Sequence, residues 1–125
     1  MFKRKRLTVL EADATSDWGV AESAHDGARL IVRVNQAFAR ARDRRGYPIR
    51  IGIAVPLVAP DADGLPRAAE LEQLGAIEDR VVEDTQGLAV LAIVLTTGAM
   101  REFVLHAATS DWIEDFHRSL AQTVV

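Results

Sequence analysis

The fold is decided by residues 88–107, which read LAVLAIVLTTGAMREFVLHA. Residues 88–95 are continuously apolar, as expected of a central strand that is covered on both faces of its sheet. A turn around Gly98 follows, and the next strand then places Phe103 and Leu105 on one face. This stretch therefore predicts two consecutive strands in the middle of a sheet.

Two amphipathic helices flank this pair of strands. The first follows Pro66, which suits an opening helical turn, and ends at Gly87. Its predicted buried stripe comprises Ala68, Leu71, Leu74, Ile77 and Val81. The acidic residues expected to face water are Glu70, Glu72, Asp79 and Glu83. The second helix follows Asp111, and its buried stripe comprises Ile113, Phe116, Leu120 and Val124.

The first half of the chain predicts a β-hairpin and a further strand. Residues 18–34 contain Asp26-Gly27, a strong signal for a tight hairpin turn, and Leu30 and Val32 then alternate with polar neighbours. Apolar residues also alternate over residues 49–57, which predicts a strand. Between them, residues 35–45 allow a short helix capped by Asn35 or an irregular basic loop.

The resulting order, β-β-(α)-β-α-β-β-α, predicts an α+β fold with one domain over residues 17–125, preceded by a basic tail over residues 1–16. From residue 47 onward the series is the ferredoxin-like split βαβ pattern without its closing strand. We expect an antiparallel or mixed sheet with two helices on one face, plus the N-terminal hairpin. An uncovered edge at residues 49–57 would favour a homodimer or a partner's strand, unless the hairpin covers it.

Composition narrows the function classes. The chain has 125 residues, of which 49% are hydrophobic and 26% charged, so it is expected to fold as a globular domain. It has no cysteine, which excludes disulfides and thiol catalysis, and no apolar run of about 20 residues for a membrane helix. No motif for a metal, a cofactor or a catalytic residue is present. The basic residues 3–6 are followed by too short an apolar stretch, so we expect no signal peptide. We therefore expect a cytoplasmic protein without a cofactor, and nothing nominates an enzyme.

Charge is unevenly distributed along the chain. Residues 1–50 carry 11 basic and 6 acidic residues, whereas residues 51–125 carry 4 basic and 12 acidic residues. Our preferred interpretation is a non-catalytic domain that binds or regulates a protein through an acidic helix face, comprising Glu72, Asp79 and Glu83. One alternative is an RNA- or polyanion-binding module that uses Arg40, Arg42, Arg44 and Arg45 beside aromatic residues. Another is an enzyme whose site is assembled from scattered residues.

Several short motifs follow one another in a familiar order. They are Trp18-Gly19-Val20-Ala21-Glu22, His25-Asp26-Gly27, Tyr47-Pro48, Gly64-Leu65-Pro66, Ile77-Glu78-Asp79, Thr96-Thr97-Gly98 and Arg101-Glu102-Phe103. This order resembles the bacterial domain of unknown function 695 family, over about residues 17–118. Members of that family are similar in outline to the regulator of ribonuclease E activity B, a ferredoxin-like protein that binds and inhibits an enzyme. The resemblance implies an α+β sandwich and no established activity.

Overall fold

The computed structural model describes residues 8–9, 17–41 and 45–124. The strands are β1 (Thr8–Val9), β2 (Trp18–His25), β3 (Ala28–Asn35), β4 (Ile49–Pro56), β5 (Ala89–Thr97) and β6 (Met100–Ala107). The helices are α1 (Gln36–Arg40), α2 (Ala68–Asp84) and α3 (Ile113–Val124). The fold is thus α+β, with an open antiparallel sheet of five long strands that the two-residue β1 extends.

The sheet order is β1-β2-β3-β5-β6-β4. Because β1 pairs with β2, the segment predicted to be a basic tail contributes a strand. The hairpin of β2 and β3 joins the sheet beside β5, on the side away from β4. It therefore does not cover β4, which is the terminal strand of the sheet in the described part of the chain.

Both predicted tight turns are present and use left-handed backbone conformations. Asp26 and Gly27 have φ of 50° and 81° between β2 and β3, and Gly98 and Ala99 have φ of 55° and 64° between β5 and β6. Two successive positive φ values match the right-handed twist of the flanking strands. The hairpin signals in the sequence are confirmed.

The main core lies on the face of the sheet that α2 and α3 cover. Its buried members include Leu74 and Val81 of α2, Leu120 of α3, and Phe103 and Leu105 of β6. The cluster is completed by Val55, Leu57, Leu91, Val94 and Phe116. These side chains fix the position of both helices on the sheet.

Two predicted members of the α2 stripe lie at its margin instead. Leu71 is 47% exposed and Ala68 is also exposed. At about 100° per residue, position 71 lies roughly a quarter turn from the direction shared by Leu74 and Val81. The buried stripe is therefore narrower than predicted.

A β-bulge in β5 divides its leucines between the two faces of the sheet. Leu91 pairs with Leu105, but the register shifts before Ile93, which pairs with Val104. The extra residue turns the strand over, so Leu91 faces the helices whereas Leu95 faces the other side.

The sheet face opposite α2 and α3 is concave. His25 of β2 and Ala54 of β4 line one cavity there, although three strands separate β2 from β4. In a flat sheet, four inter-strand steps would span about 19 Å, so the sheet must bend toward this face. At one end, α1 lies against β2, β3 and β5. Its N-terminus is capped by Asn35, whose side chain accepts a hydrogen bond from the Phe38 amide, which establishes the short helix.

Candidate functional sites

The solvent side of α2 carries the predicted docking residues in a line. Glu72, Asp79 and Glu83 are all exposed, and their spacing of seven and four residues places them on one side of the helix. None of the three forms an ion pair with another described residue. We call this line of carboxylates the acidic face of α2.

Apolar side chains border the acidic face of α2. Leu71 and Val82 are 47% and 46% exposed. They are eleven residues apart, so they lie on the same flank of the helix about 16 Å from each other. We call these two separate side chains the apolar margin of the acidic face; exposed apolar residues of this kind are common on protein surfaces.

Glu70, predicted to face water, is only 8% exposed and has a structural role. Its carboxylate accepts hydrogen bonds from the backbone amides of Val58, at 2.5 Å, and Ala59, at 3.1 Å. These two amides belong to the loop that follows β4. Glu70 thus fixes the loop to the first turn of α2 and does not belong to the acidic face.

A second anchor holds the middle of α2 on the sheet. Arg33 of β3 donates two hydrogen bonds to Glu78, and its guanidinium lies 5.1 Å from the centroid of the Trp18 ring. Nearby, Arg101 is 9% exposed and donates from Nε to the Thr96 hydroxyl at 3.0 Å. Burial lowers the pKa of Arg101, and the positive charge of Arg33 adds to this effect. The acidic face is therefore presented by a helix that is tied to the sheet through its opposite side.

A basic-aromatic cavity of about 500 Å³ lies at the α1 end of the concave face. The Phe38 ring lies 6.0 Å from that of Tyr47 and 5.3 Å from that of His106, measured between centroids. Arg45 is exposed and lines the same cavity. Aromatic rings beside a guanidinium are suited to stack a planar group and to attract an anion.

The structure describes two of the four arginines predicted to contact an anion, Arg40 and Arg45. Arg40 is paired with Asp17, and Arg42 and Arg44 lie outside the described residues. Arg45 alone among those described lines the basic-aromatic cavity. The structure thus supplies one predicted arginine to this cavity.

The described histidine and acidic side chains form no candidate metal centre. No group of three or more of them could hold a metal ion. His25 and Asp26 are 3.4 Å apart at the exposed tip of the hairpin. None of the described helices is long and apolar enough to cross a membrane.

A family comparison covers most of the chain. The model described as "Family of unknown function (DUF695)" matches residues 16–123. The chain belongs to this family. No curated protein and no solved structure matches this chain. The resemblance seen in the sequence is thereby confirmed for the family, and membership assigns no activity to the DUF695 domain.

Two structural features of these candidate sites were not predicted from the sequence. His106 belongs to no sequence motif, yet it forms the third ring of the basic-aromatic cavity. The β-strand period could have placed it, because His106 lies two residues from Val104 and on the same sheet face. The contact between Arg33 and Glu78 had no local signal, since 45 residues separate the two.

Proposed function

We propose that this DUF695 domain is a non-catalytic protein-binding domain that docks a basic partner on the acidic face of α2. The observation that carries the proposal is the line of three exposed carboxylates without ion-pair partners among the described residues. Such a surface attracts a positively charged partner and orients it during encounter. The apolar margin formed by Leu71 and Val82 would add the buried area that charge alone does not supply.

The fold, origin and cellular compartment of the domain belong to the same interpretation. We infer a ferredoxin-like arrangement, similar in outline to the regulator of ribonuclease E activity B, and a bacterial, cytoplasmic protein. Support for the arrangement comes from the position of β6 between β4 and β5, with α2 as the connection from β4 to β5. In this view the domain acts by occupying a surface of its partner.

Affinity capture with charge-reversed variants tests the docking face. Three forms of the domain serve as bait: the wild type, an α2 variant and a control variant. The α2 variant carries Glu72→Lys, Asp79→Lys and Glu83→Lys. The control variant carries three charge reversals at the start of α3, namely Asp111→Lys, Glu114→Lys and Asp115→Lys. Both sets change the net charge equally, and all six residues are exposed. We expect nuclease-resistant capture by the wild type and the control, and its loss in the α2 variant. Equal capture by all three baits would exclude the acidic face of α2.

The basic-aromatic cavity supports a second candidate function, binding of RNA or another polyanion. Phe38, Tyr47 and His106 would stack a base while Arg45 contacts a phosphate. We expect single-stranded RNA to bind at low salt, with an affinity that falls steeply as salt rises. Tyr47→Ala combined with Arg45→Ala should weaken binding, whereas Arg67→Ala, at an exposed position beside α2, should not. No binding at low salt would exclude this function.

Self-association through β4 is a further part of the proposal. A terminal strand presents backbone groups that can pair with a second copy of the chain or with a strand from a partner. We expect light scattering to give twice the 13.7 kDa monomer mass, with concentration-dependent hydrogen-exchange protection confined to β4. A monomer mass at every concentration would exclude a homodimer.

A further inference from the structure

A second cavity, of about 350 Å³, lies at the hairpin-turn end of the concave face. Five strands contribute to it, since its lining comprises His25, Leu30, Ala54, Leu95, Thr97, Met100 and Glu102. Its volume falls at the small end of the range for ligand pockets, about 300–1,000 Å³. The cavity is lined by different residues from the basic-aromatic cavity and lies on the opposite side of the sheet from the core helices.

The lining combines an apolar floor with a single carboxylate. Leu30 is 4% exposed, Leu95 is half-buried, and Met100 is 38% exposed at the opening. Glu102 is half-buried and forms no ion pair with a described residue. No lysine or arginine is among the described residues that line the cavity. Glu102 therefore lies beside apolar surface without an ion-pair partner among the described residues; His25 is the other titratable side chain that lines the cavity.

The carboxylate of Glu102 lies close to Gly52 of β4. A Cβ atom at position 52 would lie 2.5 Å from Oε2 of Glu102, which is closer than such atoms approach one another. The carboxylate therefore lies over the glycine backbone, in space that any other residue would fill. Glycine permits this close approach because it has no side chain.

We propose that this cavity binds a small primary amine with an apolar body. The aliphatic or aromatic part of the ligand packs on Leu30, Leu95 and Met100, and its ammonium group donates hydrogen bonds to Glu102. A charge-assisted hydrogen bond gives the orientation, and burial of the apolar part gives the remaining affinity. The site requires neither the acidic face of α2 nor the basic-aromatic cavity.

Three probes of similar shape test the site by NMR titration of the full chain. Phenethylamine carries the ammonium group, 2-phenylethanol is neutral, and 3-phenylpropanoate is anionic. We expect phenethylamine to shift the methyl signals of Leu30, Leu95 and Met100, and to bind about tenfold more tightly than the alcohol. Glu102→Gln should reduce the affinity for the amine to that for the alcohol.

A glycine pair supplies a second test that keeps the carboxylate. Gly52→Ala should weaken amine binding by displacing Glu102, whereas Gly75→Ala, whose added Cβ meets nothing within 4 Å, should leave it unchanged. The site is overturned if the amine and the alcohol bind equally, if Glu102→Gln retains the full affinity for the amine, or if none of the probes shifts these methyl signals.

Discussion

Arg33 and Glu78 join β3 to α2 through two parallel hydrogen bonds, with nitrogen–oxygen distances of 2.7 and 3.1 Å. The pair is partly buried, with side-chain exposures of 31% for Arg33 and 19% for Glu78. Because the Arg33 guanidinium also lies over Trp18, it connects both strands of the N-terminal hairpin to the helix. The hairpin and the acidic face of α2 are thus held in one rigid arrangement.

A double-mutant cycle should show that this contact stabilises the domain. We expect Arg33→Ala and Glu78→Ala to couple by about 1–3 kcal/mol in the free energy of unfolding, because two charge-assisted hydrogen bonds are lost in a partly desolvated place. Urea unfolding gives all four values. The control is Arg118 with Glu114, an exposed pair 3.9 Å apart, whose coupling should stay below about 0.5 kcal/mol. Equal coupling energies in both cycles would show that the Arg33–Glu78 pair stabilises the domain no more than an exposed ion pair does.

Removal of the buried carboxylate of Glu70 should free the loop after β4. Glu70→Ala removes the carboxylate that accepts from the amides of Val58 and Ala59, at a cost of about 1–3 kcal/mol, because hydrogen bonds to a charged group contribute roughly this much. Hydrogen exchange should accelerate at these two amides first. Glu72→Ala, two positions away and exposed, should change stability by less than about 0.5 kcal/mol. Unchanged exchange at Val58 in Glu70→Ala would contradict the anchoring role.

The turn before α2 should make stability depend on pH. Backbone amides of Leu65 and Asp63 donate to Asp61 and lower the pKa of its carboxyl below the ordinary value. A lowered folded-state pKa means that the charged form adds stability above the unfolded-state pKa, and that this stability is lost as pH falls through the folded-state value.

We therefore expect the wild type to lose more stability than Asp61→Asn between about pH 5 and pH 2. The asparagine keeps the acceptor oxygen but cannot titrate. Urea midpoints across this range measure the difference, and Asp111→Asn, at an exposed position, should follow the wild type. If the urea midpoints of the wild type and Asp61→Asn fall in parallel with pH, the Asp61 carboxyl does not cause the loss of stability at low pH.

The bulge in β5 predicts different costs for two leucines of the same strand. Leu91 is 6% exposed within the core cluster, so Leu91→Ala should cost about 2–5 kcal/mol. Leu95 lies half-buried in the concave face, and Leu95→Ala should cost less. Chemical unfolding of the two variants provides the comparison. A larger loss at position 95 would place the core on the other face of the sheet.

Local patterns predicted the elements of this fold well. The Asp26-Gly27 signal, the alternation of Leu30 and Val32, and the apolar run over residues 88–95 each correspond to an observed turn or strand. These features depend on neighbours in sequence, so composition and period were sufficient to find them.

Long-range placement was harder to predict. Alternation with Leu30 and Val32 places Arg33 on the opposite face of its strand, but it does not show that Glu78 of α2 packs over Arg33. Glu70 looked like one more solvent-facing acid because helical period cannot detect loop amides that need an acceptor. The bulge in β5 was not predicted either, because strict alternation places Leu91 and Leu95 on the same face of the strand. The cavities likewise arise from the bending of the sheet, which has no signature in residue spacing.

The position of β4 also sets the course of refolding. Hairpins β2–β3 and β5–β6 close through short turns, whereas the paired residues of β4 and β6 are between 44 residues (Pro56 and Met100) and 58 residues (Ile49 and Ala107) apart in the sequence. Closing that loop costs more chain entropy than closing a hairpin, so β4 should pair with β6 only after the β5–β6 hairpin has formed, and pulse-labelled exchange should protect the amides of β4 after those of β5 and β6. Until then β6 is itself an uncovered strand. Aggregation during refolding should consequently begin at β6, an edge that the native molecule no longer exposes.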